Sequence, residues 1–285
     1  MVDAHEVRLK AQRHRQKSDR RDAQELCEGR RRGGYCSLIH IPPVVISALR
    51  ETLSRRRHFV RVQTAESNAA KHVLRAAGLG HLKANLRTAG GWSKLRATLS
   101  AHPTLQQALK HHQAFWQQAQ TEVQAVEQHL AQQQEPFAAD LQRLQTIPGV
   151  GRIVALTVVA VFSEVERFPS AKHVASSAGL VPTTYQSGER DRHGHITKQG
   201  SGELRAMVCE AAQPARRADH PLNPYFAALC AKRGYRMAVV AAAHRLCRIM
   251  FAMLRHQSDF AIKRVGVEEG PFRRTLVRRY RRKAA

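Results

Sequence analysis

Acidic side chains are scarce in this chain. Its 285 residues hold 22 Asp and Glu against 47 Lys and Arg, a formal charge of +25. The excess of cations runs along the whole length, so the field attracts a polyanion, and nucleic acid is the commonest soluble one. An anionic membrane surface is the rival, but no long basic amphipathic helix with a bulky apolar face is legible. Nor is there a lipidation or secretory pattern. Long apolar stretches are also missing. The longest, Ile153 to Phe162, is too short to span a bilayer, so no membrane partner and a cytoplasmic location are expected. The five cysteines (Cys27, Cys36, Cys209, Cys230, Cys247) show no CxxC spacing, which favours reduced, mostly buried thiols over a zinc site. Alternation of the strand type is rare, so residues 40–285 read as mostly helical. With 43% apolar residues the chain can bury a sizeable core, which excludes general disorder.

Helical periodicity is plentiful. A helix is expected from near Ser18, a possible cap, to Gly29. A long one follows, with apolar residues at Ile46, Leu49, Leu53, Val60, Ala70 and Leu74, interrupted by Arg56, Gln63 and Ser67 and ending at Gly78. Residues 79–103, with Gly90-Gly91 and Trp92, form a less regular link. A second long helix carries a heptad seam of Leu105, Leu109, His112, Trp116, Ala119, Val123, Val126 and Leu130 and stops at Pro136. The two are expected to form an antiparallel hairpin or an intermolecular coiled coil, and His112 is expected to be a polar seam residue and not a ligand. Beyond 141–162 come a short helix around 170–177, a polar loop from Thr183 to Gly200, and helices near 201–217, 223–232 and 236–256. The stretch RRTLVRRYRRK (273–283) is a helix on phosphate or a disordered basic tail.

Three stretches carry chemistry. In LQRLQTIPGVGRIVALTVVAVF (141–162) two apolar helices meet at Pro148-Gly149-Val150-Gly151, followed by Arg152. This pattern suits a helix–hairpin–helix element. Its glycines allow a tight turn, and the amides opening the second helix face outward, where the dipole favours a phosphate. An ordinary tight turn between packed helices is the plain alternative. In AGLVPTTYQSGERDRHGHITKQGSGELR (178–205), Ser187 precedes Gly188 amid Arg190, Arg192, His193, His195, Lys198 and Arg205. A serine hydroxyl needs a base, metal or cationic field to become a nucleophile. The same ingredients describe a plain phosphate-binding loop. In KSDRRDA (17–23), Asp19 and Asp22 either complement a helix dipole or contribute to a metal site. Two-metal phosphoryl chemistry needs carboxylates converging from several elements on ions roughly 4 Å apart.

These stretches, in this order, together with FPSAKHVASSAGLVPTTYQSG, HITKQGSGELR and the helix containing AHRLCRIM, resemble the IS110/IS1111 family of insertion-sequence transposases, DEDD recombinases guided by a bridge RNA. The likeness covers nearly the whole chain. It implies a mainly α protein in four parts. Residues 1–40 would be a remnant of a RuvC-like, RNase-H-type α/β nuclease domain, and 41–140 coiled-coil helical arms. Residues 141–260 would be a C-terminal transposase domain with the helix–hairpin–helix, and 261–285 a basic tail. The resemblance implies that Ser187 is the nucleophile attacking a DNA phosphodiester, and that Asp19 and Asp22 are the last two carboxylates of a four-acid Mg²⁺ site. Pro148, Gly149, Val150, Gly151, Arg152, Arg190, Arg192, Lys198 and Arg205 would contact DNA. Further implied are a guide RNA, a dimer or tetramer built through the coiled coil, and a bacterial, nucleoid-associated setting.

The chain departs from that pattern at its start. The family's first Asp and its Glu lie on strands tens of residues before the K-x-D-x-x-D stretch. Here only sixteen residues, MVDAHEVRLKAQRHRQ, precede Lys17, and Asp3 and Glu6 stand too close together to fill those places. The expectation is a nuclease domain lacking its sheet, with residues 1–40 poorly ordered and catalysis impaired. A non-catalytic DNA- or RNA-binding regulator of transposition is the alternative.

Overall fold

The computed structural model describes residues 19–34, 40–82, 84–187 and 190–261, within two compact units, Met1–Ser47 and Ala48–Ala285. In the first unit, α1 (Asp19–Arg31) opens on Asp19 and Asp22 and closes on Arg30 and Arg31, charges that complement its dipole. Ser18, Asp3, Glu6 and Cys36 lie outside the described residues, as do Gly188, Glu189 and the basic tail from 262 on.

The long helix α2 (Val44–Ala76) ends where its periodicity predicts, with Leu79 N–H bonded to Leu74 O around Gly78. Helix α4 (Pro103–Gln133) runs antiparallel to it within the same chain. Arg56 pairs with Glu127 at 2.7 Å, Gln63 Nε2 donates to Gln120 at 2.6 Å, and His112 meets Glu66 at 2.8 Å. The intramolecular hairpin is therefore the arrangement present, and His112 is a polar seam residue within hydrogen-bonding distance of Glu66. Apolar contacts sit at the two ends of the hairpin. Leu49, Leu53 and Leu130 enter the C-terminal core, while Ala70, Leu74, Leu109 and Trp116 belong to a separate cluster.

The separate cluster corrects one expectation. The "less regular link" contains a helix, α3 (Ala89–Thr98), which delivers Trp92, Leu95 and Leu99 to that cluster. Thr88 caps it by accepting from Gly91 N–H, which offsets the poor helix propensity of Gly90-Gly91. Trp92 donates its indole N–H to Leu86 O and packs 6.1 Å from Trp116.

The C-terminal core assembles α5 (Ala138–Gln145), α6 (Arg152–Phe162), α7 (Ala171–Ser177), α8 (Gly202–Ala211), α9 (Asn223–Arg233) and α10 (Tyr235–His256). Helix α10 packs on α5, α7, α8 and α9 and buries Ala242, Leu246, Met250 and Met253. By length and composition it could cross a membrane, but 61% of that stretch is buried inside the protein, as befits a core helix. Between α7 and α8 the expected polar loop is instead an antiparallel hairpin, β1 (Pro182–Ser187) and β2 (Arg190–Ile196). Thr183, Thr184 and Tyr185 supply β propensity, but the run is too short and too charged to show alternation. Register slips by one residue between Pro182 and Thr184, a bulge-type irregularity.

Candidate nucleic-acid interface

The Pro148–Arg152 turn is rigid from behind and open in front. Ile147 and Val150 are buried anchors, and Val150 N–H closes the turn on Ile147 O. Gly149 sits at φ +89°, a conformation side chains rarely adopt. A Cβ there would lie 2.9 Å from both Ala211 O and Pro214 Cγ. His220, 3% exposed, locks the turn further. Its Nδ1 accepts from Leu222 N–H, so the proton resides on Nε2, which donates to Pro148 O at 3.1 Å. Gly151 is exposed and extended, and supplies no side-chain cap. The first helical bond runs from Ala155 N–H to Gly151 O, so the amides of Arg152, Ile153 and Val154 have no helical partner. They open α6 with a partial positive charge beside the Arg152 guanidinium.

The other end of α6 is closed by cations. Arg50, from α2, donates to Ala160 O at 2.7 Å and Val161 O, and Arg167 donates to Phe162 O and to Val161 O at 2.9 Å. Burial lowers the pKa of the Arg50 guanidinium from its ordinary value. It does the same for Arg167, helped by the charge of Arg50 and opposed by Glu164. The apolar helix thus has its negative pole neutralised inside the fold and its positive pole free.

The Ser187 region stands on a second close backbone contact. Segment 197–201 crosses the C-terminal end of α7. Thr197 N–H bonds Val181 O, Lys198 N–H bonds Gly179 O, and Ser201 N–H bonds Ser177 O. Gly200, at φ +100°, comes so near that a Cβ would meet Ser177 O at 1.8 Å. Arg205 spends one N–H on Ala178 O at 2.9 Å, a structural duty for a residue expected on DNA. Lys198 is exposed, at φ +55°. On this platform Ser187 ends β1 and pairs in register with Arg190, and Tyr185 pairs with Arg192. Positions 185, 187, 190 and 192 thereby belong to one side of the ribbon. His193 pairs with Thr184, across the other side.

Asp19 and Asp22 are exposed and share one helical turn of the other unit. Among the described residues no group of three or more His, Cys, Asp or Glu is placed to hold a metal ion. Two carboxylates one turn apart do not enclose an ion, so this pair by itself does not fit a Mg²⁺ centre.

A sequence profile described as "Transposase IS116/IS110/IS902 family" matches residues 141–227, the stretch that holds the turn, the hairpin and α8. The chain is 32% identical over 127 residues to the transposase for insertion sequence element IS1111A of Coxiella burnetii, covering 42% of this chain and 34% of that protein. Residues 141–227 are thus similar to the IS110-type transposases. A Pseudomonas aeruginosa protein described as a "Probable family 20 transposase" is 25% identical over 86% of this chain and 74% of its own length. The pilin gene-inverting protein of Moraxella lacunata is 30% identical over 41% of the chain and 37% of its own. The aligned part spans about a third of the Coxiella transposase.

Sequence patterns missed two supports of this site. His220 has no periodic or motif signal in DHPLNP, because its partner lies 72 residues away. Arg50 sits among ordinary surface arginines of α2 and is singled out only by the carbonyls it meets.

Proposed function

We propose that this chain is a DNA recombinase of an insertion sequence that grips the sugar-phosphate backbone with the Pro148–Arg152 turn and presents Ser187 from the tip of the β1–β2 ribbon. The observation that carries it is the turn itself. Three amides without a helical partner open α6 beside the exposed Gly151 and the half-buried Arg152, while Gly149, His220 and the Arg50–Arg167 pair fix the turn and the far end of α6. A phosphate is the ligand such a cradle suits, without any base being read. It serves as a helix–hairpin–helix element, with Arg190, Arg192 and Lys198 as further backbone contacts. Ser187 then attacks a phosphodiester, its proton leaving to a base and the sugar oxygen departing, to give a transient phosphoserine link. His193 and His195 are the histidines nearest in sequence. A structured guide RNA would select the target, and the arms would join copies of the chain. Mg²⁺ would supply charge stabilisation to the transferring phosphoryl group, and holding it requires donors besides Asp19 and Asp22.

Among the described residues no third acid, His or Cys joins Asp19 and Asp22, and this motivates one second reading, a nucleic-acid binder that regulates transposition without cutting. A covalent protein–DNA adduct assayed with Mg²⁺ and guide RNA separates the two. An adduct that disappears in Ser187→Ala establishes the recombinase, and absence of any adduct from a protein that still binds duplex DNA establishes the regulator. Failure to bind DNA or RNA in dilute buffer would reject both.

A further inference from the structure

We propose that the exposed surface around the 213–217 turn, which touches the α9–α10 joint on one side and the Pro148–Arg152 turn on the other, is a second grip on duplex DNA, so that one backbone is held by two helical turns at once. It rests on the Pro148–Arg152 turn being a phosphate site.

The two turns are wired to one short element. Gln213–Arg216 form a 3₁₀ turn after α8. On one side, Pro214 packs against Gly149, in the space a Cβ would need. On the other, Tyr235, the first residue of α10, donates its hydroxyl to Gln213 Oε1, and its ring meets Phe226 edge-on at 5.8 Å. Asn223 Nδ2, at the start of α9, donates to Ala215 O at 3.1 Å. A displacement of either helix-joining turn would therefore disturb the other through four residues.

The surface carried by this arrangement has one sign. Arg216 and Arg217 on the turn, and Lys232, Arg233 and Arg236 around Gly234, are all exposed. From Ala211 to Ser258 the only acidic residue is Asp219, and its carboxylate lies 3.7 Å from Arg217 with both side chains largely in water. Among the described residues no ion pair engages Arg216, Lys232, Arg233 or Arg236, although other surface arginines, such as Arg32 and Arg57, have carboxylate partners. Tyr235 and Met237, 42% and 51% exposed, flank Arg236 in the chain. Unpaired like charges crowded on one side repel, and a polyanion relieves that repulsion. The chemistry is that of backbone contact. The cations are point charges and forks for phosphate, without the buried amide or carboxylate side chains that base edges would need.

The test is a salt series of dissociation constants on a labelled random-sequence duplex. Neutralising Lys232→Gln, Arg233→Gln and Arg236→Gln together is expected to flatten the slope of log K against log salt by roughly 2–3, about 0.9 for each phosphate no longer neutralised. A charge-matched triple on exposed arm residues, Lys94→Gln, Arg96→Gln and Lys110→Gln, is expected to change it by less than about 1. An unchanged slope, an equal change in both triples, or a loss seen only on an RNA hairpin overturns the second grip. Wild-type protein that ignores the duplex overturns the first turn as well. Wild type whose slope falls with Arg152→Gln but not with the triple overturns the second grip alone. The substituted residues are exposed, so melting should not change. If the triple melts early, the single reversal Arg236→Glu gives the same readout.

Discussion

Gly149 is the residue at which shape and function coincide. Its positive φ and the 2.9 Å approach to Ala211 O leave no room for a methyl group. Gly149→Ala should destabilise the C-terminal core by about 1–3 kcal/mol and weaken duplex binding, measured by chemical denaturation and by titration at fixed salt. Gly151→Ala, whose Cβ would meet open space, should change stability by less than about 1 kcal/mol. Cys247 illustrates the opposite case, a residue made inert by its surroundings, and it is the one buried cysteine among the described residues, where mostly buried thiols were expected. Burial pushes the Cys247 thiol up to about 12, so its thiolate is negligible at pH 8, whereas Cys27 is exposed. In native protein at pH 8 a maleimide should modify Cys27 within minutes and leave Cys247 untouched until denaturant is added, as peptide mapping would reveal. Equal labelling would show that α10 opens readily.

At the scale of elements, α6 depends on help at its C-terminal end. The last carbonyls of this mostly apolar helix have no helical partner and need donors, and Arg50 and Arg167 supply them. Arg50→Ala should cost about 1–3 kcal/mol by leaving the Ala160 and Val161 carbonyls short of partners, seen as a lower denaturation midpoint with an unchanged slope. Arg50→Lys should recover only part of it, since one ammonium cannot reproduce the fork. Several elements are legible in the amino-acid pattern alone. The seam of Leu109, Trp116, Ala119, Val123 and Leu130 is buried as its spacing implies, and Gly78, Pro136 and Gly234 punctuate helices as their chemistry demands. Helix α3 is hidden by two glycines that a threonine cap offsets, and the β ribbon by its brevity and charge. In the site, the turn at Pro148–Arg152 is readable because its residues are contiguous. The Pro148–His220 bond, the Tyr235–Gln213 bond and the Arg50 clamp are not, because each joins distant positions that local periodicity does not couple.

At the scale of the whole molecule, the arm hairpin carries an apolar cluster at each end, and between them polar pairs intersperse the buried Ala119 and Val123. The middle is joined by Arg56–Glu127, Gln63–Gln120 and His112–Glu66, links that water can replace at little cost. The separate cluster at one end holds both tryptophans of the chain, Trp92 and Trp116. Tryptophan emission should therefore report that cluster alone and shift at lower denaturant than far-ultraviolet ellipticity, which reports all helices. Coincident midpoints would mean that arms and core melt as one. The Arg50 clamp has a mechanical corollary. Arg50 belongs to an arm helix, yet it holds the end of α6, whose opposite end carries the Pro148–Arg152 turn about 16 Å away. Because α6 is a stiff rod sheathed in packed side chains, any swing of the arm at Arg50 is delivered axially to that turn, gearing the tilt of the arm to the aim of the phosphate cradle.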